Sequence, residues 1–64
     1  MIITDGLQIA DTNKWLQEGY DCQCAKDNLQ EAVAAANIFT SEGHDVRINT
    51  RNSYAYVWVK HINM

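Results

Sequence analysis

Apolar side chains recur at Leu29, Ala32, Val33, Ala36 and Phe39, every three or four positions. That spacing lines one face of an α-helix, and Ala34, Ala35 and Ala36 carry the lowest intrinsic cost of helix formation. Asp27 followed by Gln30 resembles a capping box, and Gly43 supplies a stop. The predicted helix therefore runs from 27 to 41 or 42, although Ala25 equally allows a start one turn earlier. Beyond Gly43 the period changes from 3.6 to two. Val46 and Ile48 alternate with Arg47 and Asn49 over 45–50, and 54–61 is rich in β-branched and aromatic residues. Arg51, Asn52 and Ser53 between them read as a turn, which makes the pair an antiparallel hairpin.

The first half is less regular. Residues 1–3 are a short β-prone run, closed by the turn signal Asp5-Gly6. Leu7 and Ile9 share a parity that would extend or re-enter a strand. Asp11, Thr12 and Asn13 form a cap-like cluster ahead of one or two helical turns at 14–18. Gly19 stops them, and 20–24 reads as extended. Without repeats, linkers or low-complexity tracts, residues 1–64 form one domain. The expected class is α+β: a small antiparallel sheet in β-α-β-β order with an extra short N-terminal helix, and the main helix packed on one face.

The last strand raises a question of coverage. Ala55, Val57 and Val59 suit close packing against the helix, beside Val46 and Ile48. The opposite face then carries Arg47, Asn49, Arg51, Tyr54, Tyr56, Trp58 and Lys60. One helix cannot cover both sides. The N-terminal segment folds back beneath the sheet through Trp15, Leu16 or Tyr20, or the face is a protein interface, for which Tyr, Trp and Arg are favoured anchors. The third explanation is stacking of single-stranded bases on the aromatics, with the cations meeting phosphates.

Charge bears on that choice. The formal net charge is −3, and it is uneven: residues 1–32 sum to −4 and residues 33–64 to +1. Nucleic-acid binders usually concentrate positive charge, whereas three cations around three aromatics is a thin footprint. Asp21, Asp27, Glu31 and Glu42 suggest a separate acidic face able to meet a basic partner. No apolar run approaches a membrane span, and the opening residues lack the regions of a secretory signal, so the cytoplasm is the expected compartment. A chain this short buries only about 60% of its unfolded surface. A second copy would help it, and a homodimer is expected slightly ahead of a monomer.

Candidate chemistry is sparse. Cys22, Cys24, His44 and His61 are the soft or imidazole ligands, but one residue between the cysteines departs from the usual zinc spacing. On a regular strand the two thiols share a face, in strained geometry for a disulfide. The histidines follow different elements and have room to lie at opposite ends of the sheet. No nucleophile–base pair, phosphate loop or carboxylate pair stands out, so no enzyme activity, metal or cofactor is expected. The favoured reading is a non-catalytic protein-binding module. By analogy of size and charge alone, it fits a small acidic inhibitor of a larger, nucleic-acid-handling protein, such as a phage-encoded anti-host factor. The alternatives are single-strand binding through the aromatic and basic sheet face, and a metal- or thiol-dependent protein using Cys22 and Cys24.

Overall fold

The computed structural model describes residues 2–6 and 9–61. It contains β1 (Ile2–Asp5), α1 (Ile9–Gln17), β2 (Asp21–Lys26), α2 (Leu29–Ser41), β3 (Asp45–Arg51) and β4 (Tyr54–Lys60). The four strands form one sheet in the order β1-β3-β4-β2. The hairpin is antiparallel, with Val46 opposite Val59 and Ile48 opposite Val57. β2 adds antiparallel to the outside of β4, and β1 lies parallel to β3. The architecture is the small α+β fold expected. Its sheet is mixed rather than wholly antiparallel, because the N-terminal strand joins β3 in the same direction.

The connections explain why both faces are covered. From β1 to β2 the chain crosses the whole sheet, and from β2 to β3 it returns over β4. Parallel crossovers take the right-handed sense, so two crossovers in opposite directions place α1 and α2 on opposite faces. On the α2 side, Ala32 and Ala36 meet Val46, Ile48, Ala55, Val57 and Val59 in a buried cluster, flanked by Cys24, Val33, Ala35 and Phe39. The small alanines let the helix approach the β-branched surface closely. Full burial of a Val or Ile contributes about 1.5–3 kcal/mol, and Ile48, Val57 and Val59 are fully enclosed. Leu29, expected on this stripe, is 42% exposed; it is the first residue of α2 and lies beyond the edge of the contact.

Local signals set the helix ends. Asn28, not Asp27, caps α2: its backbone is extended at φ −148° and its Oδ1 accepts the Glu31 N–H at 2.8 Å. β2 continues through Lys26, so Asn28 is the residue placed to reach back to that amide. Ala25 belongs to β2, opposite Tyr56, because ladder pairing outweighs its helix propensity. α1 begins at Ile9, earlier than 14, so Asp11, Thr12 and Asn13 lie inside the helix rather than ahead of it. Ile9 is thus helical, and Leu7 lies outside the described residues.

Both helices end in the same way. Gly43 has φ 89°; its N–H reaches Thr40 O and the His44 N–H reaches Phe39 O. Gly19 has φ 100°; its N–H reaches Leu16 O and the Tyr20 N–H reaches Trp15 O. This paired pattern is the Schellman motif, which also folds the residue after the glycine back onto the last turn. At α1 those two residues are Tyr20 and Trp15, and their meeting builds the second face.

Candidate functional site

The face opposite α2 divides into a closed and an open half. In the closed half Trp15, Tyr20 and Trp58 form a second buried cluster, with Tyr56 packed against it. Trp15 meets Trp58 edge to face at 5.7 Å between centroids, and Tyr20 at 6.4 Å. Arg47, directly across from Trp58 in the ladder, sends its guanidinium between these rings. It lies 4.3 Å from the Tyr20 centroid and 5.3 Å from that of Trp15. Its Nη1 donates to Glu18 Oε2 at 3.1 Å. The Tyr20 hydroxyl donates to Asp45 Oδ2 at 2.7 Å. Burial first, and then that hydrogen bond, push the Tyr20 phenol above its usual pKa against the opposing pull of Arg47, so it stays a donor at neutral pH. Three residues expected to meet a partner thus serve the fold: Arg47 and Trp58 hold α1 to the sheet, and Asn49 is buried beneath it.

The open half follows from length. A nine-residue helix is about 13 Å long, whereas a seven-residue strand extends about 23 Å. At the hairpin end of β3 and β4, Arg51 and Tyr54 stay exposed. There Tyr54, 49% exposed, tilts against Tyr56 at 6.4 Å and faces Arg51 across the ladder. Between this end and α1 lies a cleft of about 170 Å³, bordered by Thr12, Asn49, Arg51, Tyr56 and Trp58. The Trp58 Nε1–H, like the Arg47 Nε–H, is buried with no hydrogen-bond partner. An unmet buried donor costs about 1–3 kcal/mol, so both count against the stability of this face.

The other expected residues fall elsewhere. Lys60 is exposed at the opposite end of β4 from Tyr54, against Gly19. The acidic residues are spread along the layer rather than clustered. α2 runs back along β2, so Asp27 and Glu31 sit at the start of the helix, while Glu42 and Asp21 sit at the other end of the layer. Cys22 and Cys24 do not share a face. A register shift between them sets Cys22 opposite Trp58 and Cys24 opposite Val57, on opposite sides of the sheet. Partial burial, and then the neighbouring Cys24, push the Cys22 thiol above its ordinary pKa, so at neutral pH it is a protonated, weak nucleophile. His44 and His61 are not at opposite ends: their rings lie 4.7 Å apart, and His61 Nε2 is 3.4 Å from Gln23 Nε2. Among the described residues, no group of three or more His, Cys, Asp and Glu converges on a metal position. No described helix is long and apolar enough to cross a membrane.

Sequence reasoning missed Thr12 as a wall of the cleft and Glu18 as the partner of Arg47. A helix of nine residues is too short for periodicity to assign its faces. The available signal was the glycine at position 19, flanked by aromatics at the two positions a Schellman turn brings together. No protein family, curated protein or solved structure compared with this chain matches it.

Proposed function

We propose that this chain is a non-catalytic binding module that engages a protein partner through the hairpin end of the second sheet face. The supporting observation is the exposed Tyr54, tilted against Tyr56 and across from Arg51 on a sheet buttressed from both sides. Tyr and Arg are the residue types that concentrate binding energy at interfaces, and a preordered strand pair loses little entropy when it docks. A small inhibitor of a larger protein is the role this size and surface fit best. Single-strand binding has less support. Arg47 is already paired with Glu18, and Arg51 and Lys60 are separated by the length of β4, so the cations do not form a track for phosphates.

The test is capture from native host lysate by the tagged chain, with and without nuclease, alongside the variant Arg51→Gln/Tyr54→Thr. The expected result is a stoichiometric protein that survives nuclease and is lost in the variant. Recovery that depends on nucleic acid, or that the variant does not alter, would contradict the proposal.

A further inference from the structure

We propose that His44 and His61 form a two-imidazole chelate for a divalent transition-metal ion of tetragonal preference, copper(II) or nickel(II). The site lies at the end of the sheet away from the hairpin turn and stands apart from the binding reading above. Topology brings the two rings together. Asp45 and Lys60 are ladder partners, so His44, one residue before, comes across from His61, one residue after. Side chains at opposed positions of an antiparallel pair are close enough to interact. Both histidines continue the parity of Val46 and Val59, which pack with α2. Phe39, near the end of α2, meets His61 edge to face at 6.5 Å and closes the pair from the helix side.

The second observation is the spacing. The ring centroids lie 4.7 Å apart. An imidazole nitrogen sits about 2.0–2.1 Å from its ion, which sets two ligated rings roughly 4.5 Å apart at a right angle and roughly 5.2 Å apart at the tetrahedral angle. The observed separation is nearer the right angle, the arrangement of tetragonal copper(II) and nickel(II) sites. The ring planes cross at 71°. Rotation about χ2, a soft torsion for His, aims one nitrogen of each ring at a common point, and His61 is exposed and His44 half-buried. Gln23 adds the support that ligating imidazoles usually have. Its side-chain amide is 3.4 Å from His61 Nε2, and an amide oxygen accepting from that nitrogen leaves Nδ1 for the ion. Among the described residues no third His, Cys, Asp or Glu joins the pair, so water fills the remaining positions. The bound ion ties the start of β3 to the end of β4 and favours the folded chain.

The experiment titrates nickel(II) chloride into the reduced, ¹⁵N-labelled full chain, following backbone NMR signals and, by calorimetry, the heat of binding. The expected result is one ion per chain, with paramagnetic broadening centred on His44 and His61. His44→Gln and His61→Gln each weaken binding by about tenfold or more, whereas Cys22→Ser leaves it unchanged. Zinc(II), titrated in the same way, binds more weakly than nickel(II). The metal-free spectra of the variants report whether the fold is intact, and the exposed His61 gives a variant that removes no core packing. No saturable binding, broadening centred elsewhere, an affinity that either histidine variant leaves unaltered, or tighter binding of zinc(II) overturns the proposal.

Discussion

Trp58→Ala is expected to destabilise the fold by about 3–5 kcal/mol, the usual loss for a large aromatic removed from a core. At about 0.05–0.15 kcal/mol per residue, a chain of this length has roughly 3–10 kcal/mol in total. The variant should therefore be largely unfolded at 25 °C or close to it. The reason is positional. Trp58 lies in β4, a strand paired on both sides, and it is the sheet residue against which Trp15 packs edge to face. Deleting it leaves a void between α1 and the sheet, and a helix of nine residues is too short to persist unsupported. Urea unfolding followed by far-UV circular dichroism measures the loss. A midpoint close to that of the wild type would mean that Trp58 is a surface residue and that α1 is held by something else.

Arg47→Ala is expected to cost about 2–3 kcal/mol, with Arg47→Lys recovering part of it. The guanidinium contacts two rings, and each such contact is worth about 0.5–2 kcal/mol depending on desolvation. Its stem adds packing against the sheet. The pairing with Glu18 is the smaller contribution, because that carboxylate is exposed and surface ion pairs yield about 0–1 kcal/mol. Glu18→Gln should therefore cost less than about 1 kcal/mol. Lysine keeps the charge but not the planar stacking surface. Urea midpoints for the three variants, with near-UV circular dichroism to report the Trp and Tyr packing, separate these contributions. If Glu18→Gln matched Arg47→Ala, the ion pair would be the main force and the ring contacts incidental.

Where the sequence has strong periodicity, its reading and the structure agree. The α2 stripe and the Val46, Ile48, Val57, Val59 face are legible because burial against one neighbour leaves a clean repeat. The second face was legible as a question: Tyr54, Tyr56 and Trp58 alternate outward, and a fold-back through Trp15, Leu16 or Tyr20 was one of three ways to account for them; Trp15 and Tyr20 are buried there, while Leu16 is exposed. Which residues of the strip would be covered was not legible. That depends on where a nine-residue helix lies on the sheet, a tertiary matter of two glycine-terminated turns and one arginine. The separation of Cys22 from Cys24 was hidden for a related reason. A strand bulge leaves no composition signal, yet it moves one side chain to the other face. The closeness of His44 and His61 depends on β3 and β4 being antiparallel, which places the start of one strand beside the end of the other.

The edges show a similar economy of signal. β2 carries its bulge and the charged Asp21 and Lys26 on an outer strand, features that discourage pairing with another chain. β1, with Ile2 and Ile3 about half exposed, has four residues, which limits how much ladder a second chain gains there. Neither edge brings aromatic area, a cation and a cleft together as the hairpin end does.

The division of one sheet face into a half that holds the fold and a half that is free to bind is tested most directly by the urea midpoint of Arg51→Gln/Tyr54→Thr. Threonine retains β propensity at position 54, so the variant removes surface chemistry without penalising the strand. The expected loss is under about 1 kcal/mol, the range for exposed positions and one cross-strand pair. A loss of about 3 kcal/mol or more, comparable with Trp58→Ala, would show that these residues belong to the core and that the face has no open half.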